Sequence, residues 1–231
     1  MKKKPLEQYY GWLTADKVAA GMNAAAKNAK RLCDDAHILF ENGRYATSCS
    51  LAVLSIEESG KLSLLRSISI APDDKHLKTA WRDYRNHQIK NASWIIGELF
   101  TKGARTLEDL KPMFDRDSDH PAILDAVKQL GFYTDCCGPS HWSEPHLAID
   151  KELAEKIIRT AEVLLPKRET TKREIDLWIT YVGRHWGMES MFDGLKEFYQ
   201  AMEREGMKLQ SAADVDAFLK RPSFTEDSPS E

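Results

Sequence analysis

Between Trp81 and Asn91 the chain reads Trp-Arg-Asp-Tyr-Arg-Asn-His-Gln-Ile-Lys-Asn. On a helix, Asp83, His87, Lys90 and Asn91 fall within about a third of the circumference. A carboxylate one turn before an imidazole, sharing its face with a cation and an amide, has the parts needed for phosphodiester chemistry. Histidine has the side chain whose unperturbed pKa lies nearest neutrality, so His87 could take a hydroxyl proton and return one to a leaving group. Arg82, Arg85, Lys78 and Lys90 could offset charge growing on a phosphate, and Asp83 is an acceptor suited to fixing the imidazole tautomer. The design needs no metal, and no carboxylate cluster in the sequence points to one. The plainer reading of the same run is a solvated helix face. One geometric difficulty stands out: on an unbroken helix five residues rotate by about 140°, so Arg82 and His87 diverge unless the helix begins or bends between them.

A second concentration of charge is Ile56-Glu57-Glu58-Ser59-Gly60-Lys61. Glu58 shares a face with Leu51, Leu54, Leu62 and Leu65, which places a carboxylate in an apolar sector where it needs a partner. Two readings follow. In one, Glu57 and Lys61 form a surface pair and Glu58 sits at the edge of the core; in the other, Glu58 orients a basic residue on the facing helix. Cys136, Cys137, His141 and His146 could be drawn together as a zinc site, but adjacent cysteines rarely ligate one metal and the spacing fits no standard knuckle. A plain loop is expected there, and Cys33 and Cys49 occupy helix-core positions as reduced thiols.

The elements that must carry these residues are helical. Val18, Met22, Ala25, Ala29, Leu32, Ala36 and Leu39 mark one helix face, with Thr14 as cap and Gly43 as stop. A second helix from about Tyr45 to Ile70 follows a very short turn and should pack antiparallel to the first. A third is expected from Asp73 or Asp74 through Leu77, Trp81, Tyr84, Ala92, Ile95 and Leu99 to Gly103. Short helical pieces follow at Thr106 and at Asp119-His120-Pro121, the latter closing at Gly131, then a loop from Phe132 to Pro145. Asp150 caps a helix stopped by Pro166, and Thr171 with Glu174 forms a capping box for an aromatic-rich helix whose pattern runs on to Gly206. Ser211 caps a last short helix. The fold class is all-α, organised as a bundle over residues 14–166, a C-terminal helical extension over 167–220 packed on it, and a disordered acidic tail over 221–231. Trp178, Trp186, Met188 and Met191 in the extension read as core in preference to a partner surface.

Of the 231 residues, 33 are Lys or Arg and 36 are Asp or Glu, a net charge of −3 that argues against tight, sequence-independent binding of long nucleic acid. Any RNA contact must then use a local basic stripe. No uncharged stretch is long enough to span a bilayer, and Met1-Lys2-Lys3-Lys4-Pro5 is followed by Glu7, Gln8 and Asp16 where a signal peptide would be apolar. A cytoplasmic protein with no membrane association is expected.

Arg82-Asp83 followed by His87 resembles the Arg, polar residue, three more residues, His signature of the HEPN superfamily. Arg31 and His37 form a second match, with Leu32 where a polar residue is preferred. The surrounding text narrows the resemblance. Asn28-Ala29-Lys30-Arg31-Leu32, Gly43-Arg44-Tyr45-Ala46, Ser55-Ile56-Glu57-Glu58-Ser59-Gly60-Lys61, His87 with Lys90, and Gly131-Phe132-Tyr133-Thr134-Asp135 with Trp142 and Pro145 resemble, in order, the AbiV family of bacterial abortive-infection proteins over residues 20–165.

The resemblance implies a HEPN-type bundle, a phage-defence role, and a homodimer whose sites are built from both protomers. It implies His87 as general acid/base, Arg82 as phosphate contact and Asp83 as the positioning residue. Lys90 and the Glu57-Glu58 pair match the family's motifs, and these three with Asn91, Arg85, Lys78 and Lys61 are read from their charge and position as supporting or RNA-binding residues, with no cofactor expected. The expected activity is metal-independent cleavage of cellular tRNA, rRNA or mRNA, triggered by a phage protein. The competing expectation is a non-enzymatic dimer that blocks translation by binding a ribosomal or phage component. A third is a helical partner-binding protein with no defence role.

Overall fold

In the computed structural model, which describes residues 7–91, 119–188 and 190–207, every regular element except one two-residue hairpin is a helix. Helix α1 spans Ala15–Glu41, and the Thr14 hydroxyl accepts from the Lys17 amide at 3.4 Å. It ends at Asn42, where Gly43 takes the left-handed conformation at φ +69° and turns the chain into α2, Tyr45–Ser69. Ser48 Oγ donates to the Ala36 carbonyl at 2.6 Å and Ser55 Oγ to that of Ala29 at 2.8 Å. One index climbs as the other falls, so α1 and α2 pack antiparallel.

Helix α2 is the centre of the fold. Ser48, Cys49, Ser50, Ala52, Val53, Ser55, Ile56, Glu57 and Gly60 are all buried, on several sides of the helix. Small side chains let neighbouring helices close on it, and the buried hydroxyls of Ser48, Ser50 and Ser55 donate to backbone carbonyls.

Helix α3, Asp74–Arg85, begins where Asp73 Oδ1 accepts from the His76 amide at 2.9 Å. It does not run on as one helix. Asn86 is extended at φ −81° and ψ 123°, and a separate turn, α4, occupies His87–Lys90. The remainder of the expected third helix, from Ala92 onward, lies outside the described residues, as does the piece at Thr106. Helix α5, His120–Phe132, has Pro121 in its first turn. The expected loop after it contains a small hairpin in which β1, Cys136–Cys137, pairs antiparallel with β2, His141–Trp142. Two residues per strand are too few to leave an alternating pattern in the sequence. A single turn, α6, spans Pro145–Ala148; α7, Lys151–Leu164, is capped by Asp150, whose Oδ1 accepts from the Leu153 amide at 2.8 Å.

The main core joins Cys33, Ala36 and Phe40 of α1, Cys49, Val53 and Ile56 of α2, Leu124 of α5, and Ile157, Ile158 and Ala161 of α7. Burial pushes the Cys33 and Cys49 thiols up to about 12, so both behave as small apolar groups. Toward the other end of the α1–α2 pair, Val18, Met22, Leu65, Ile68, Leu77 and Trp81 close a second core to which Ile175 contributes.

That last residue belongs to α8, Lys172–Tyr181. The sequence pattern reads as continuous from here to Gly206, but the chain breaks into a 3-10 turn at Gly183–His185, a left-handed Gly187 at φ +68°, and α9, Met191–Arg204. Thr171 Oγ1 accepts from the Glu174 amide as a capping box requires, yet the buried Glu174 carboxylate turns inward to Arg66 and Arg168. Asn23 and Thr170 exchange two hydrogen bonds at 2.9 and 2.8 Å, which fixes the entry to α8 against α1. Phe198 and Met202 of α9 pack with Ile70, Leu177 and Val182, and Trp178, Trp186 and Met191 lie against this cluster; Met188 is exposed. The expected helix at Ser211 and the tail over 221–231 lie outside the described residues.

Candidate active site

Glu57 lies in the middle of α2 with its side chain 4% exposed. Two glycines let other elements press in on either side. A Cβ on Gly60 would collide with the Lys90 carbonyl, and one on Gly131 would lie 2.7 Å from the Ala46 carbonyl oxygen, so α4 and α5 approach the α2 backbone only because both residues are glycine. The result is a three-element junction around one carboxylate.

His87 Nδ1 stands 2.6 Å from Glu57 Oε2, and Lys128 Nζ of α5 donates to Glu57 Oε1, also at 2.6 Å. Lys90 Nζ lies 3.8 Å from Glu57 Oε2, and Asp125 Oδ1 closes the group at 2.6 Å from Lys128 Nζ. An ionised carboxylate only accepts hydrogen bonds, so the proton sits on Nδ1 and a neutral His87 ring presents its Nε2 lone pair on the opposite edge. The imidazole is 60% exposed while its partner is buried, the arrangement of a group held from behind and offered to solvent. Burial is the largest influence on Lys90 and lowers its pKa, against the pull of Glu57. Burial also works against charge on Lys128, but hydrogen bonds to Asp125 and Glu57 together outweigh it and raise its pKa.

The structure redistributes the residues expected from the sequence. The carboxylate at His87 is Glu57, not Asp83; Asp83 lies 3.7 Å from Arg82 Nε, and no hydrogen bond or ion pair among the described residues joins either of them to His87. The extended Asn86 removes the fixed rotation of an unbroken helix between Arg82 and His87. Arg82 is 76% exposed, and Lys78 is exposed on the same helix. Glu58 is not the buried carboxylate: it pairs with Lys61 at 2.6 Å, and Lys61 stands over the Tyr84 ring. The expected Glu57–Lys61 pair is replaced by this one. Arg85 serves the fold, donating to the Trp81 and Tyr9 carbonyls at 3.0 and 2.7 Å. Asn91 is fully buried, its amide 3.4 Å from the Pro121 carbonyl.

His37, the other signature histidine, pairs with Glu162 at 2.9 Å, linking α1 to α7. Its Arg31 bonds to Asn28 and Asp35 on its own helix. Among the described residues no group of three or more His, Cys, Asp or Glu could hold a metal ion, and Cys136 and Cys137 are exposed on the hairpin.

Lys128 and Asp125 are the members that sequence reasoning missed. The signal was present: Lys128 falls on the same stripe of α5 as the buried Leu124 and Gly131, a cation in an apolar sector.

A family model described as AbiV, HEPN_AbiV, matches residues 17–166. The chain belongs to the AbiV family. It therefore carries a HEPN domain of the abortive-infection type, and the match runs from α1 through α7, containing Glu57, His87 and Lys128 and leaving α8, α9 and the first sixteen residues outside. No curated protein and no solved structure matches the chain. No helix among the described residues is long and apolar enough to cross a membrane.

Proposed function

We propose that this AbiV protein is a metal-independent endoribonuclease that arrests growth of the infected cell by cutting cellular RNA. The observation that carries the reading is the Glu57–His87 pair, an exposed imidazole whose tautomer is fixed from behind by a buried carboxylate. Nε2 of a neutral His87 takes the proton of a ribose 2′-hydroxyl as that oxygen attacks the phosphorus. The bond from phosphorus to the 5′-oxygen breaks, and an imidazolium returns a proton to the departing oxygen. The products are a 2′,3′-cyclic phosphate and a 5′-hydroxyl. A homodimer of the kind the HEPN resemblance implies would place two imidazoles at one cleft, one as base and one as acid, with Arg82 against the charge on the phosphate. Cytoplasmic tRNA, rRNA or mRNA is the substrate class, and a phage protein the trigger.

Purified protein incubated with RNA in EDTA tests this directly. Cleavage with cyclic phosphate ends is expected, and His87→Ala should slow it by about 10²–10⁴-fold and relieve toxicity. If His87→Ala stays fully toxic while RNA remains intact, the nuclease reading is lost and the non-enzymatic dimer that blocks translation takes its place.

A further inference from the structure

We propose that residues 7–14, together with the flank of α3 beside them, form a platform for the unpaired bases of single-stranded RNA. The idea rests on the ribonuclease reading for its purpose, but binding can be measured where nothing is cut.

The arm is laid along α3 by three contacts. Trp12 Nε1 donates to Asp74 Oδ1 at 3.1 Å at the start of the helix, Trp81 Nε1 donates to the Gly11 carbonyl at 3.0 Å, and Arg85 reaches the Tyr9 carbonyl at 2.7 Å in the last turn. The four residues from Tyr9 to Trp12 extend at most about 14 Å, and it is the long side chains of Trp12, Trp81 and Arg85 that tie this short segment to α3. Arg85 turns back one helical turn to do so, since it also donates to the Trp81 carbonyl at 3.0 Å.

Tyr9, Tyr10 and Trp12 are 57%, 51% and 50% exposed, yet their rings are held in place. The Tyr9 hydroxyl donates to the Trp12 carbonyl and the Tyr10 hydroxyl to Gln8, both at 2.8 Å. Tyr9 folds back over its own backbone because Gly11 has no Cβ; one there would lie 2.6 Å from the Tyr9 hydroxyl. The Arg85 guanidinium stands 4.1 Å from the Tyr10 ring centroid. Large aromatic faces left in water on a backbone this firmly tied are preset surfaces for stacking.

A row of cations runs beside them. At about 100° per residue, Asp74, Trp81 and Arg85 lie on one stripe of α3 that meets the arm. Lys75, Lys78 and Arg82 occupy the adjoining sector, on the side away from Leu77 and Tyr84, which pack on the bundle. All three are exposed. Aromatic faces for bases with a parallel line of positive charge for phosphates is the pattern that binds single strands; a duplex, whose bases are already stacked, has no use for the rings. Helix α3, which carries this row, is followed through Asn86 by the turn that holds His87. The arm lies before residue 17, where the AbiV match begins.

The test uses full-length His87→Ala protein and a fluorescently labelled single-stranded oligoribonucleotide, read by anisotropy, with a duplex and an abasic strand of equal length alongside. The single strand should bind more tightly than either. Tyr10→Ala and Trp12→Ala should each weaken its binding about tenfold, whereas Tyr10→Phe and Trp12→Phe, which keep the stacking face, should retain it. Lys78→Ala should lower the salt dependence of binding. Equal affinity for the abasic strand, alanine variants that melt and bind like the parent, or no binding of RNA at all would each overturn the platform. Failure of the ribonuclease reading looks different: wild-type protein would bind through the arm and leave the strand uncut.

Discussion

Glu57→Gln removes one negative charge from a junction that holds two buried ammonium groups, and the size of the effect can be worked from the distances. Lys90 Nζ lies 3.8 Å from the carboxylate, an attraction of about 4 kcal/mol at an effective dielectric constant of about 20. Lys128 loses an ionic hydrogen bond but keeps Asp125 at 2.6 Å, so its loss is smaller. Lys90 also has an escape, because it can give up its proton. From its ordinary value of 10.5, neutralisation at pH 7 costs about 5 kcal/mol, and burial, which lowers the folded value, makes the step cheaper. The expected destabilisation is therefore about 3–5 kcal/mol, read as a shift of the urea midpoint at pH 7 with an unchanged slope. Two signatures separate this cause from a mere packing defect. Lys90→Met added to Glu57→Gln should restore part of the loss, since it removes the stranded charge. The deficit should also shrink as pH rises toward 10.5: between the depressed folded value and 10.5 the unfolded chain binds more protons at Lys90 than the folded one, so stability climbs with pH. A loss under about 1 kcal/mol, or a double variant less stable than Glu57→Gln alone, would refute the view that Glu57 neutralises a buried lysine.

Two further outcomes follow from the same geometry. Gly60→Ala ordinarily strengthens a helix by about 1 kcal/mol, but here the added methyl meets the Lys90 backbone, so Tm should fall, and with it the exposed setting of His87; a rise in Tm would show that α4 yields without cost. His37 has its pKa raised above 6.5 by its hydrogen bond to Glu162, so its stabilising contribution is complete below 6.5 and is lost as pH rises through the folded value. Thermal melts across that window should show wild-type protein losing stability that His37→Gln does not; parallel pH profiles would remove the linkage.

Helix ends and outward faces were readable from sequence because their determinants are local. Thr14, Gly43, Asp150 and Pro166 each act within one turn, and the helices they bound start and stop at them. Helix α2 defeated the same logic for a physical reason. A leucine stripe marks the buried face only when one face is buried, and this helix is enclosed on several sides by α1, α3, α4, α5 and α7. Its tightest contacts run through Ser48, Ser50, Ser55 and Gly60, residues a hydrophobicity scale does not reward, so the leucine stripe points to Glu58 while the buried carboxylate is Glu57. The break at Asn86 left no mark, since Arg-Asn-His contains neither proline nor glycine and the apolar spacing continues past it.

The charge balance gains a different meaning once the cations are placed. Lys61, Lys90 and Lys128 face carboxylates, and Arg85 is committed to backbone carbonyls and aromatic faces. Those charges belong to the interior ledger of the fold and add little to the field outside. The lysines and arginine of α3 that face solvent are Lys75, Lys78 and Arg82, a stripe about 10 Å long at 1.5 Å per residue. A stripe of that length engages only a few phosphates, so electrostatics alone gives a weak, readily reversed grip on RNA. Selectivity for a strand must then come from groups that distinguish an unpaired base from a duplex, and beside this stripe those groups are the rings of Tyr10 and Trp12.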